Sequence, residues 1–348
     1  MHVHSILTGL FLIAAGAFTS GSFAIPFGKI RDWKWETYWL IYSFGAYIIF
    51  PLIACLIFAP GFSAVYSEVP SKVLVRVFLL GAVYGIGNLS FGLSLRYLGI
   101  SLGYALSLGL MLAIGTLIPP LMDGQLKEMI DSSGGGLLIL GVLISCIGIG
   151  FSGWAGFLKD RIISDADKKK SVSEFNLIKG IFAALLVGIT GSAMSLGLEE
   201  GITVAQVAER SGIDPLFTTL PVMLLMLSGT LVTTILWCIY LGFRNKSLSN
   251  YTRISSPAKL SSNYIFAILA GLLWFSNFIL FGMGKSKMGR FTFTSWGILM
   301  ALTIVFATLW GLYRKEWKGA PIKIYLLMII SLIIIIGSSF LIGISGSL

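Results

Sequence analysis

The sequence predicts an all-α polytopic membrane protein, with ten transmembrane helices arranged as two inverted five-helix repeats. Three observations predict it. Ten separated apolar stretches reach bilayer-crossing length, charged residues make up only 11% of the chain against 56% hydrophobic, and glycine spacings recur between the halves. A bilayer core ~30 Å thick takes about 20 helical residues per crossing at ~1.5 Å rise. A soluble domain carries about 25% charge, so this composition, with a mean hydropathy of +0.90, excludes an ordinary globular protein.

The first span is read at Ile6–Ile25. The residues before it, Met1-His-Val-His-Ser5, lack the positive n-region of a cleaved signal, so the stretch is expected to remain as a membrane helix. His2 and His4 read as a polar terminus rather than a metal pair. The next four spans are Trp39–Phe58, Val73–Leu95, Leu102–Met122 and Leu137–Phe157. The second five are Ile178–Leu198, Leu216–Leu241, Tyr264–Met283, Phe293–Tyr313 and Ile324–Gly343. Cys55, Cys146 and Cys238 fall in three different spans without metal-ligand or redox spacing, and read as small buried apolar residues.

The net charge of +10 resembles that of a nucleic-acid binder, but the cations sit in short connections, where they orient helices. The odd-numbered connections carry 18 Lys and Arg, including Lys29, Arg31, Lys34, Arg96, Lys159 and Lys168 to Lys170. The even-numbered ones carry 7: Lys72, Arg76, Lys127, Arg210, Lys285, Lys287 and Arg290. That bias predicts odd connections in the cytoplasm and both termini facing outward. Residues 159–179 then form the main cytoplasmic linker between a first repeat at 1–158 and a second at 180–348.

The halves echo one another. Gly81, Gly92 and Gly99 recur as Gly271, Gly282 and Gly289, an offset of 190 residues that also sets Tyr84 opposite Trp274. Gly9 and Phe11 match Gly180 and Phe182 at an offset of 171, as Thr19 matches Thr190. The difference is absorbed by an insertion near 199–214, read as a short amphipathic helix at the outer surface. Five spans per half force the second half to insert with opposite topology. Inverted repeats with a midplane site at their interface are a transporter architecture. The patterns Gly81-Ala-Val-Tyr-Gly85 and Gly99-Ile-Ser-Leu-Gly103 also suit close helix packing in lipid.

Six segments in one register carry a family resemblance: Trp33-Lys-Trp-Glu-Thr-Tyr-Trp39, Gly85-Ile-Gly-Asn88, Arg96-Tyr-Leu-Gly99, Gly115-Thr-Leu117, Gly212-Ile-Asp-Pro-Leu216 and Lys315-Glu-Trp317. They resemble motifs of the bacterial L-rhamnose–proton symporters, of the drug/metabolite transporter superfamily. The resemblance implies ten helices in two inverted repeats and uptake of L-rhamnose or a related deoxyhexose driven by protons. The chain departs from it where those carriers have an acid followed by a histidine; here Thr292 and Thr294 stand. Na⁺ therefore remains the alternative coupling ion.

A sugar needs a few placed polar groups among apolar and aromatic walls. Asn88 lies mid-span near Tyr84. Asn277 lies one helical turn from Trp274, so both can share a face. Ser295 and Trp296 open the ninth span. Asn88, Trp274 and Asn277 are the first substrate-binding candidates, with Tyr84, Ser295 and Trp296 next. Each Asn equally fits an interhelical hydrogen bond worth about 1 kcal/mol, and each Trp an interface anchor. Proton coupling needs a titratable group in a partly dry setting, and intramembrane acids are costly and functional by default. The candidates are Glu36, which also reads as a solvated boundary acid, and Glu199.

Other classes fit less well. An intramembrane enzyme would need a metal set or a pair of facing acids, and no HExxH occurs. No complete Walker A sequence supports ATP-driven transport. An exporter or exchanger of another small metabolite is the alternative transporter reading. No cofactor, metal or nucleic-acid partner is expected; the lipid bilayer and a small sugar are, and the oligomeric state is left open.

Overall fold

The computed structural model describes residues 2–122, 127, 134–162, 172, 174–252, 257–288 and 295–345. Among them every regular element is helical. We number these α1 His2–Ser22, α2 Trp35–Phe44, α3 Phe50–Phe58, α4 Phe62–Glu68, α5 Ser71–Leu98, α6 Ile100–Met122 and α7 Gly135–Ile162. There follow α8 Leu177–Gly191, α9 Ala193–Glu200, α10 Ile202–Arg210, α11 Thr219–Arg244, α12 Pro257–Ser286, α13 Ser295–Tyr313 and α14 Ile322–Ser345. Among the described residues, eight segments are long and apolar enough to cross a membrane, and two more apolar helices, Ile100–Ile114 and Ile298–Tyr313, are shorter.

Two sequence boundaries shift for identifiable reasons. The second span starts a turn before Trp39, at Trp35, because Lys34 accepts from the backbone N–H groups of Thr37 and Tyr38. The sixth span breaks between α8 and α9, where Thr190 and Ser192 hydroxyls bond the carbonyls of Leu186 and Ile189 beside Gly191. Gly/Ser pairs and inserted side chains are common sources of such kinks. Cys55 and Cys238 are buried as expected, whereas Cys146 lies on the exposed face of α7, beside the apolar side chains of Leu143 and Ile147.

The chain divides into two units. The first comprises Met1–Gly21, Gly87–Ser192 and Met283–Leu348. Its core gathers Leu98, Leu102, Leu106, Ala155, Leu177, Trp317, Ile324 and Met328. Helices α7 and α14 pack along a glycine seam: a Cβ on Gly148 would meet Ile335 at 2.8 Å, and one on Gly141 would meet Ile342 at 2.8 Å. Tyr104 of α6 donates to the Ser20 carbonyl at 2.5 Å.

The second unit comprises Ser22–Ile86 and Ala193–Gly282. Helix α5 meets α11 with backbone against backbone. A Cβ on Gly81 would run into the Met226 carbonyl, and one on Gly229 into the Phe78 carbonyl. Closeness of that order brings Thr230 Oγ1 to the Gly81 carbonyl and Thr233 Oγ1 to the Ala82 carbonyl, each at 2.8 Å. Such interhelical bonds contribute about 0.6 kcal/mol each in a membrane protein. Helix α12 approaches α2 similarly, since a Cβ on Gly271 would stand 2.8 Å from the Tyr42 carbonyl and the Ala46 nitrogen. Helix α10 supplies Val204, Val207 and Ala208 to the buried side.

Between α2 and α3, Gly45–Ile49 form a π turn in which the Phe50 N–H reaches the Gly45 carbonyl. Pro51 explains it. A proline has no N–H for the carbonyl four residues back and its ring clashes with that carbonyl, so the ladder widens just upstream.

Candidate functional site

Glu36 sits in the first turn of α2, where the positive end of the helix dipole favours a carboxylate. It is 1% exposed. The Asn245 amide donates to its Oε1 at 3.0 Å and the Ser247 hydroxyl at 2.6 Å. Both donors lie in the turn that ends α11, which Lys246 enters with φ of 54°. The solvated boundary acid read from the sequence is therefore replaced by a buried acid held by two neutral donors. The local reason is the aromatic wrapping. Trp35 stacks on Trp39 at 5.0 Å, and Trp33 meets Tyr251 and Tyr264 at 6.3 and 5.0 Å. Asn263 tethers that connection to α12 by exchanging two hydrogen bonds with the Arg31 backbone, at 3.0 and 2.7 Å.

From Glu36 a run of buried rings leads along the second unit. Trp39 contacts Tyr42 at 4.9 Å, Tyr42 contacts Tyr47 at 5.8 Å edge to face, and Tyr47 contacts Trp274 at 5.3 Å edge to face. Phe23 stacks on Tyr42 at 5.4 Å. Trp274 is 5% exposed and Asn277 6%. The Asn277 amide donates to the Trp274 carbonyl at 2.6 Å, a bond within one helix. Tyr84 is half-buried.

The other candidates belong to the first unit. Asn88 is 4% exposed, and Ser295 is fully buried with a hydroxyl that has no hydrogen-bond partner among the described residues. The side chain of Trp296 lies outside the described residues, as do Thr292 and Thr294. Glu199, at the end of α9, is exposed; its neighbour Glu200 pairs with Arg76 at 3.0 Å.

Sequence reasoning missed Tyr42 and Tyr47, whose five-residue spacing puts them on one face only across a π turn. It also missed the second buried acid among the described residues, Glu316, 4% exposed. Glu316 accepts from the Ile100 N–H at 2.8 Å and the Ser101 N–H at 3.0 Å, the first turn of α6. Gly99, with φ of 85°, and Gly311 leave room for the carboxylate, since a Cβ on either would stand 2.9 or 2.8 Å from its Oε2. Lys159 is 1% exposed, with its ammonium 5.1 Å from the Phe175 ring centre and 4.8 Å from that of Trp317. Burial pushes the Glu316 carboxyl above its ordinary value, opposed by the two backbone donors and by the charges of Lys159 and Arg314. The usable signal was the acid inside the Lys315-Glu-Trp317 motif. Ser101 also completes a Gly-x-Ser-x-Gly string, but its hydroxyl lies 3.5 Å from the Met328 sulfur and the only histidines are His2 and His4, so it is no nucleophile elbow.

Comparison with known proteins bears on the whole length. A family model described as L-rhamnose-proton symport protein (RhaT) matches residues 2–347. The L-rhamnose-proton symporter of Mannheimia succiniciproducens is 32% identical over 341 residues, covering 97% of this chain and 98% of its own length. That of Escherichia coli is 31% identical over 343 residues, covering 98% of each. No solved structure matches the chain. Coverage from end to end by one family model and by relatives above 30% identity makes this chain a member of the L-rhamnose-proton symport protein family.

Proposed function

We propose that the protein is a secondary active transporter that imports L-rhamnose or a related deoxyhexose by proton symport, without enzymatic chemistry. The observation that carries this is the match of nearly the whole chain to L-rhamnose-proton symporters. The reading extends to ten membrane helices in two inverted repeats, 1–158 and 180–348 about a linker at 159–179, as in the drug/metabolite transporter superfamily.

Paired contacts within the second unit support the repeat. Gly81 approaches the Met226 carbonyl as Gly271 approaches that of Tyr42, and Gly229 approaches the Phe78 carbonyl as Gly45 approaches that of Ile268. Tyr42 to Met226 and Gly45 to Gly229 are both 184 residues apart, and Phe78 to Ile268 and Gly81 to Gly271 both 190. Two contacts repeated at fixed offsets are what a duplicated helix pair leaves behind. In this reading both termini face the outer side of a bacterial inner membrane, and the transporter opens to each side in turn.

Asn88, Tyr84, Trp274, Asn277, Ser295 and Trp296 are the sugar ligands of this proposal. Glu36 carries the proton in preference to Glu199, because a buried carboxylate gains most from neutralisation. The test is uptake into proteoliposomes across several sugars, under a pH gradient with and without a Na⁺ gradient. Saturable rhamnose entry that collapses with a protonophore is expected. Flux indifferent to both gradients overturns the reading, and Na⁺ dependence changes the coupling ion. Asn277→Ala is expected to abolish rhamnose binding in folded protein; unchanged affinity moves the sugar elsewhere.

A further inference from the structure

The cluster around Glu316 is absorbed neither by the sugar ligands nor by Glu36, although it joins two of the motifs that carry the family resemblance. Gly99 of one packs on the carboxylate of Glu316 in the other. Four segments of the first unit meet there. The start of α6 gives two N–H donors, the end of α7 gives Lys159, the connection before α8 gives Phe175, and the turn after α13 gives Glu316 and Trp317.

We propose that Glu316 is a second proton-exchanging group of the transport cycle, whose protonation frees the first turn of α6. A hydronium ion passes a proton to a carboxylate oxygen: one O–H bond of the hydronium breaks, one forms on the carboxyl, and a water molecule is released. The cluster gains one positive charge, since Lys159 keeps its own. The neutral acid is a poorer acceptor, so the bonds from Ile100 and Ser101 weaken and α6 loses the anion at the positive end of its dipole. Other charges on the site come from Arg314 in its own turn. The ammonium, between two aromatic faces, keeps a favourable setting in either state. A charge that serves only as a cap would sit equally well at a solvated helix end. Here the Glu316 carboxylate and the Lys159 ammonium are both buried, 4% and 1% exposed, and a buried charge is costly to keep. Burial at that cost suits a group that changes charge during turnover.

The inference rests on the proton-coupled uptake proposed above. The experiment compares wild type, Glu316→Gln and Glu316→Asp in proteoliposomes. It reads rhamnose-induced proton uptake, rhamnose counterflow at equal pH on both sides, and thermal stability. Gln keeps one oxygen acceptor for α6 but cannot exchange a proton. In Glu316→Gln, proton uptake per sugar is expected to fall at least twofold and the pH dependence of counterflow between pH 5 and 8 to flatten. Counterflow at its optimum should stay within about twofold of wild type, and Glu316→Asp should restore the pH dependence. A Glu316→Gln protein with wild-type stoichiometry and pH profile overturns the inference and leaves the symport reading standing. Parallel loss of counterflow, coupling and melting temperature assigns Glu316 a purely structural cap and also overturns it. Wild type that takes up no protons with rhamnose overturns both.

Discussion

Replacing Glu36 with Gln is expected to cut rhamnose-driven proton uptake per sugar at least twofold while sugar exchange persists. The substitution keeps the shape of the side chain and leaves an oxygen for the Asn245 amide and the Ser247 hydroxyl, which now bond Oε1 at 3.0 and 2.6 Å. It removes a charge from a position 1% exposed. Burying a charge opposes folding, so the protein should fold at least as well as wild type. The effect is therefore confined to the proton. The measurement is alkalinisation of the outer medium on adding rhamnose, with counterflow run in parallel. Wild-type alkalinisation in Glu36→Gln would remove Glu36 from the coupling machinery.

Adding one methyl group at Gly81 is expected to have the largest effect on stability. Its Cβ would occupy the position of the Met226 carbonyl, a rigid backbone atom that no rotamer change can move. Helices α5 and α11 would have to separate, losing the Thr230 and Thr233 hydroxyl bonds and the contact of Gly229 with Phe78. Overpacking costs about 1–3 kcal/mol or more, and the lost hydroxyl bonds add about 1 kcal/mol. The control is Gly150→Ala, since a Cβ there meets nothing within 4 Å and gains up to about 1 kcal/mol of helix propensity. Thermal melting of purified protein in detergent should show Gly81→Ala far below wild type and Gly150→Ala at or above it. Equal melting points would mean that α5 and α11 are not in backbone contact.

Helix positions were legible because length and apolarity set them: among the described residues, eight segments are long and apolar enough to cross a membrane, and two shorter apolar helices accompany them. The glycine echo was legible for the same kind of reason, since close backbone approach admits only one residue type. Side-chain surroundings were less accessible. Glu36 reads as solvated because three tryptophans flank it in sequence like an interface belt; only the turn after α11, some two hundred residues away, supplies its donors. Tyr47 escaped because a 3.6-residue period turns it away from Tyr42, and the widening ahead of Pro51 turns it back. Lys159 looked like one more orienting charge at a span end, while the rings that enclose it come from residues 175 and 317.

The widened turn at Gly45–Ile49 sets the phase of everything after it. Removing one residue there would rotate Phe50–Phe58 by about 100° about its axis. Pro51, Ala54 and Cys55, now inside, and Leu52, Ile53, Leu56 and Ile57, now outside, would swing from their present bearings together. A lineage cannot easily drop that extra residue, because a single-codon deletion would misalign a whole face of the helix at once.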